Sequence, residues 1–231
     1  RTKTPVRIAL SGAGGRMGQT VLKLALREPT RYQIAAALES AGHPRLGADI
    51  GELTGTGKTG VILSREWRQP CDVLIDFSTP AGAMARLAEA VRRKIPTVIA
   101  TTGLQPAQQD AVRDAAKKIA VLLSPNMSFG VNLVFAVAAQ MAKALHDHYD
   151  IEIIEAHHHH KTDAPSGTAL GLGKSIAHAV GWDLNAVSRH GRQGQTGKRT
   201  KKEIGFHALG MGDVVGEHTV IFASEGDRIE L

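Results

Sequence analysis

Short apolar runs alternate with helix-length amphipathic segments through the first half of the chain. Residues 6–10 read as a strand, Ser11 to Gly15 as a glycine-rich turn, and residues 17–27 as a helix with Met17, Val21, Leu24 and Ala25 at helical spacing. Residues 33–38 predict a second strand, 60–63 a short third, and 72–77 a buried fourth. Pro80 then opens a helix over 81–93. A strand at 97–100, a helix at 106–118 and a strand at 119–123 continue the alternation. Strand and helix in turn predict an α/β fold, a Rossmann-like parallel sheet. Ligands of such sheets lie beyond the carboxyl ends of the strands. That rule singles out Ser78, Thr79, Thr101, Thr102, Gly103 and residues 124–127.

The second half has a different rhythm. A long apolar helix over about 132–145 leads into a β-branched strand, 150–154, and a polar stretch precedes another apolar helix at 169–180. Residues 188–202 are polar, basic and glycine-containing, which predicts an exposed loop or arm. Strands at 203–208, 214–223 and 228–231 follow. Strands grouped after helices predict an α+β domain, a mixed open sheet with a helix on one face. The domain boundary is placed near Asn126, giving a dinucleotide-binding domain over 1–126 and a substrate-binding and oligomerisation domain over 127–231.

Composition narrows the class. The 231 residues are 42% hydrophobic, enough for real cores, yet no apolar run approaches the ~20 residues of a membrane helix. Residues 1–5 lead into a strand and not a signal-peptide core, so a cytoplasmic protein is expected. The single cysteine, Cys71, allows no internal disulfide and fits a reducing compartment. A net charge of +6, with Lys198, Arg199, Lys201 and Lys202 clustered, admits nucleic-acid binding. Only 4% aromatic residues and no helix-turn-helix or zinc-finger spacing argue against it. The same charge suits an anionic cofactor and a dicarboxylate.

Two stretches carry chemistry. In the first, Gly12-x-x-Gly15-x-x-Gly18 follows a strand and opens a helix, and the next strand ends at Glu39. This spacing departs from strict G-x-G-x-x-G because position 17 is methionine, but the context is that of a dinucleotide loop, with the carboxylate placed for the adenine ribose hydroxyls. The second is Glu155-Ala156-His157-His158-His159-His160-Lys161-Thr162-Asp163-Ala164-Pro165-Ser166-Gly167-Thr168-Ala169. Pro165 keeps Ala164 out of helical geometry and Ser166 is a natural N-cap. The amides of Gly167, Thr168 and Ala169 are then left to hold a carboxylate or phosphate. Upstream, His157 and Lys161 carry exchangeable protons. Adjacent histidines on an extended segment point to opposite sides and soft ligands are few, so no metal is expected.

The run from Glu155 to His158, Lys161 and Asp163 to Ala169 closely resembles the signature of the 4-hydroxy-tetrahydrodipicolinate (dihydrodipicolinate) reductase family of lysine biosynthesis. The likeness includes Gly12-Ala13-Gly14-Gly15-Arg16-Met17-Gly18 and Gly212-Asp213-Val214-Val215-Gly216-Glu217-His218. It implies an NADH- or NADPH-dependent reductase acting on a small cyclic dicarboxylate. By the same resemblance His157 and Lys161 are the proton donors, His158 is a substrate contact, and Gly167 and Thr168 hold a substrate carboxylate. Gly12, Ala13, Gly14, Gly15, Arg16, Met17, Glu39, Ala100, Thr101, Thr102, Ser124, Pro125, Asn126 and Met127 are the implied cofactor contacts. Asp163 is assigned to orienting the loop.

The resemblance also implies a homotetramer joined through the second domain, and family members that run past the position of Leu231 into helices bearing one more basic substrate contact. Some close relatives have arginine where this chain has Ser40; Arg16 and Arg45 are the cations left to read a 2′-phosphate. Two other readings stand beside this one. One is another aspartate-pathway dehydrogenase, whose common kind needs a cysteine nucleophile. The other is a non-catalytic nucleotide sensor that binds nucleic acid through residues 188–202.

Overall fold

A computed structural model of the chain describes residues 4–231. Residues 1–3, placed ahead of the first strand by the sequence reading, lie outside the described residues. The chain forms two compact units, residues 1–124 and 125–231. The division falls two residues before the one expected, so Pro125, Asn126 and Met127 belong to the second unit, apart from Ser124.

The first unit is built on β1 (Val6–Ser11), β2 (Tyr32–Leu38), β3 (Leu63–Ser64), β4 (Val73–Asp76), β5 (Thr97–Ile99) and β6 (Val121–Leu123). All pairs are parallel, in the order β3-β2-β1-β4-β5-β6, so the chain reverses direction of travel across the sheet between β1 and β4. Four helices connect them: α1 (Arg16–Arg27), α2 (Ile50–Thr54), α3 (Pro80–Arg93) and α4 (Pro106–Ala116). Alternation along β1 feeds two cores. Ile8 and Leu10 pack with Leu22 and Ala25 of α1, while Ala9 turns to the opposite face and joins Leu87, Ala90 and Val112 of α3 and α4. Cys71 lies in this latter core, buried, and burial raises its thiol pKa. It is no poised nucleophile, which removes the residue on which the semialdehyde-dehydrogenase reading depended.

The second unit contains α5 (Phe129–Leu145), β7 (Asp150–His157), α6 (Gly167–Ala179), α7 (Leu184–Val187), β8 (Ser188–His190), β9 (Ile204–Gly210), β10 (Glu217–Ser224) and β11 (Asp227–Glu230). Its sheet runs β11-β10-β7-β9-β8, antiparallel on the β10 side of β7 and parallel on the β9 side. One face carries α5 and α6 over Ile151, Ile153, Ile204, Phe206, Val220 and Phe222. Close packing there needs glycine: a Cβ on Gly173 would lie 2.5 Å from the Phe206 ring.

Residues 191–202 form the exposed loop the sequence predicts, but the loop is fastened to the sheet at two points and begins in a strand. That strand is β8, parallel to β9, and Arg192 and Arg199 fasten the remainder to acidic groups of the sheet. Two of its arginines are held by ion pairs while most of its other polar residues face water, a distinction composition does not carry. Strand β7 also runs three residues farther than expected, because β9 and β10 pair with it through Ala156.

Candidate functional site

Each unit holds candidate site residues of its own. In the first, a cleft of about 520 Å³ opens at the carboxyl ends of β1, β2 and β4, lined by Ser11, Gly12, Gly15, Glu39, Ser78 and Thr79 among others. A larger cleft, about 550 Å³, runs beside β2 and β3 past Arg7, Gln33, Glu66 and Arg68. None of the predicted site residues lines it, so size is not the guide here.

The glycine loop is shaped by contact. Gly12 has φ +73°, and a Cβ on it would stand 2.4 Å from the Phe77 carbonyl oxygen. A Cβ on Gly18 would stand 2.1 Å from the Gly12 oxygen. The loop therefore packs strand, turn and helix at distances that only glycine permits, and Gly15 caps α1 with extended backbone. First-turn amides of a helix lack intrahelical partners, and α1 starts directly after Gly15, which lines the cleft. Glu39 is tied to this loop, its Oε2 accepting the Gly14 N–H at 3.0 Å and its Oε1 the Ser40 N–H at 2.9 Å. These residues fit a dinucleotide: a backbone cradle for phosphates and a carboxylate one strand away for ribose.

At the ends of β4 and β5, buried Asp76 accepts hydrogen bonds from Thr101 Oγ1 and Ser78 Oγ, and Ser78 N–H donates to Thr101 Oγ1 at 2.9 Å. Thr101 is thus held by a carboxylate that the sequence reading passed over. A polar residue closing the apolar run 73–77 was the available signal. Thr102 is exposed and Ala100 buried. Arg65, Arg86 and His43 also line the cleft, unforeseen because they come from loops and a helix flank. Arg45, at the same loop, donates to the Gly14 carbonyl at 3.0 Å.

The second unit gathers the histidine stretch. A cavity of about 180 Å³ is lined by Glu155, His157, His158, His159, Lys161 and Asp163, with Ala208 to Gly210 opposite. His157 is the last residue of β7, its carbonyl accepting the Met211 N–H at 2.9 Å, and His159 N–H donates to the Gly212 carbonyl at 3.1 Å. Lys161 Nζ donates to Asp163 Oδ1 at 2.7 Å, and this ammonium holds the Asp163 carboxyl below its usual range. His158 Nδ1 is buried without a hydrogen-bond partner.

Gly167 and Thr168 do not line that cavity. They open α6 beyond the N-cap Ser166, whose Oγ accepts the Ala169 N–H at 3.1 Å. Asn126 Nδ2 donates to Thr168 Oγ1 at 3.2 Å, which links this turn to the segment before α5. Beneath lies Glu155, buried, accepting the Ser166 N–H at 2.7 Å. His218 of β10 stands 3.0 Å from Ser166 Oγ, and burial lowers its pKa against the opposing pull of Glu155. Glu155, His157 and His218 bring one ligand atom each within 4.8 Å of one another, the one such trio among the described residues. The His218 atom is already engaged by Ser166.

The family profile described as "Dihydrodipicolinate reductase, N-terminus" matches residues 6–127, and "Dihydrodipicolinate reductase, C-terminus" matches residues 130–231. The 4-hydroxy-tetrahydrodipicolinate reductase of Nitrosomonas europaea is 46% identical, over 99% of this chain and 85% of its own. That of Magnetococcus marinus is 45% identical, over 98% and 85%. Among solved structures, a dipicolinate-bound dihydrodipicolinate reductase from Paenisporosarcina sp. TG-14 superposes with a TM-score of 0.71 at 23% identity, covering 98% of this chain and 86% of that one.

Proposed function

The chain belongs to the dihydrodipicolinate reductase family, and from that premise we propose which of its residues perform the reaction. The activity is NAD(P)H-dependent reduction of 4-hydroxy-tetrahydrodipicolinate to tetrahydrodipicolinate in lysine and diaminopimelate biosynthesis. By those names the ring exchanges a hydroxyl for a hydrogen. The net reaction therefore takes up one hydride and one proton and releases water. The nicotinamide, when bound, supplies the hydride.

The chain's own groups do the rest. The amides opening α1 cradle the pyrophosphate and Glu39 takes the ribose hydroxyls. Thr101, held by Asp76, and Ala100, Thr102 and Ser124 at the ends of β5 and β6 lie where the sheet presents the nicotinamide end. Pro125, Asn126 and Met127 are the further proposed cofactor contacts. A substrate carboxylate sits on the α6 N-terminus at Gly167 and Thr168; dipicolinate, bound by the Paenisporosarcina relative, is a ligand of that class. His158 adds a further contact. His157 and Lys161 deliver the proton, and Asp163 keeps the Lys161 ammonium oriented until substrate arrives.

One observation carries these roles: His157, His158 and Lys161 line a single cavity beside a capped helix start whose amides face outward. A coupled assay tests them. Oxidation of NADH or NADPH should require freshly formed product of the preceding pathway enzyme, and neither pyruvate nor aspartate semialdehyde should replace it. Equal turnover of either would sink the assignment. The second sheet offers its uncovered face, with Ile154, His207, Thr219 and Ile221, to other copies, and a cytoplasmic homotetramer is the proposed state. Light scattering of the purified protein at four chain masses would support it.

A further inference from the structure

Two groups under the α6 turn, Glu155 and His218, have no role in the scheme above. Glu155, only 3% exposed, spends Oε1 on the Ser166 N–H at 2.7 Å. Its Oε2 is buried and receives no hydrogen bond. Two ring nitrogens face that oxygen, His157 Nδ1 at 3.6 Å and His218 Nε2 at 3.4 Å. They are not equivalent. Ser166 Oγ already accepts from the Ala169 N–H, so its own proton is free to go to His218 Nε2, 3.0 Å away. Assigning the Ser166 hydroxyl as the donor, one of the two tautomer-dependent senses of this contact, leaves His218 no proton there to offer Glu155.

His157 Nδ1 is then the remaining donor for the carboxylate, and a movement of about 0.7 Å brings it into hydrogen-bond range. We propose that Glu155 is a positioning residue that fixes the proton of His157 on Nδ1 and stabilises its imidazolium, so that Nε2 is the nitrogen that gives the proton to the substrate. The inference rests on the assignment of His157 as a proton donor. Nε2 faces a gap left by glycine, since a Cβ on Gly216 would lie 3.1 Å from it. In the step itself the Nε2–H bond breaks, and the proton bonds to the substrate atom that holds the electron pair displaced by hydride addition. His157 is left neutral with its proton on Nδ1. Solvent restores the second proton.

The same carboxylate anchors the turn proposed to hold the substrate carboxylate, so acid and anion site share one buried support. The charged and titratable groups around His157 are Glu155 on its own strand, His218 from β10, and Lys161 and Asp163 from the following loop. Of these, Glu155 is the carboxylate sealed from solvent, where salt and water screen it least.

The Glu155→Gln variant tests this. Its amide oxygen can still accept the Ser166 N–H, which puts the NH₂ group where Oε2 was, donating to His157 Nδ1. The tautomer should invert. Nitrogen NMR of the imidazoles should show Nδ1–H in the wild type and Nε2–H in the variant. The pH profile of kcat should move in the variant, and kcat at pH 8 should drop about 10²-fold with KM little changed. Wild-type His157 protonated on Nε2 when neutral would overturn the proposal, even if the variant failed to fold. So would an unmoved pH profile in the variant. Zinc binding that needed Glu155, His157 and His218 together would also overturn it, by making the cluster a metal site. The NMR readout needs no turnover, so loss of the reductase assignment and loss of this inference are separately visible.

Discussion

Arg199 and Glu152 lie 47 residues apart in sequence, and the Arg199 Nε–H donates to Glu152 Oε1 at 3.0 Å. The same guanidinium reaches Asp150 and the Ile151 and Glu203 carbonyls, while Glu152 also accepts from Arg192 and His207. A planar fork with five donors suits such a crossroads, and lysine would not replace it. Arg199→Ala should leave several buried acceptors unmet and destabilise the second unit by about 1–3 kcal/mol. Limited proteolysis within residues 190–202, absent in the wild type and rapid in the variant, is the accompanying sign.

Glu152 sets an acid limit on that network. Burial pushes its pKa up, but hydrogen bonds from Arg192, His207 and Arg199 outweigh burial and hold it at about 2, against an ordinary 4.5. A depressed folded-state pKa contributes stability that is fully present above the unfolded value and lost as pH falls toward the folded one. The window is therefore pH 4.5 down to about 2. Melting of wild type and Glu152→Gln should differ at pH 6 and converge across that range. A gap that stayed constant with pH would assign the effect to packing.

Lys161→Ala and His157→Ala should each lower kcat by about 10² to 10⁴ while cofactor affinity stays near wild type, if both act at the ring as proposed. Asp163→Asn should lower kcat less than Lys161→Ala, since it loosens the ammonium without removing it. Pre-steady-state kinetics with fluorescence titration of NADPH separates the two effects.

Cofactor choice turns on Ser40 and Arg45. In the proposed site Glu39 would favour the bare ribose of NADH and Ser40 offers no cation for a 2′-phosphate; Arg16 and Arg45, the latter bonded to the Gly14 carbonyl, are the candidate replacements, with Arg65 and Arg86 also on the cleft. Use of both cofactors is expected, with at most a modest NADPH preference. Ser40→Arg should shift kcat/KM toward NADPH by at least several fold, with about 10- to 150-fold corresponding to the roughly 1.5–3 kcal/mol of a full charged hydrogen bond. Arg45→Ala should shift it toward NADH. A strong wild-type NADPH preference that survives both changes would mean another residue reads the phosphate.

Gly12→Ala should damage the cofactor loop specifically. The added methyl would stand 2.4 Å from the Phe77 oxygen at a φ of +73°. A cost of about 1–3 kcal/mol is expected from the backbone alone, and dinucleotide affinity should fall with it. Calorimetric titration of NADH alongside thermal melting checks both.

Local pattern was enough for the alternating strands and helices of the first unit, the glycine loop, Glu39 at the end of β2, and the Ser166 cap, because each depends on neighbours a few residues away. It also made the family legible. The sequence did not reveal α2, α7 or β8, whose 5, 4 and 3 residues are too short to show a period. Nor could it extend β7 to His157, since that end exists only through pairing with β9 and β10. Glu155 meets Ser166 and His218, and Asp76 meets Thr101, across 11 to 63 residues of chain. Burial by distant elements decides those partnerships, because a carboxylate in a low-dielectric interior needs donors that its own segment does not supply.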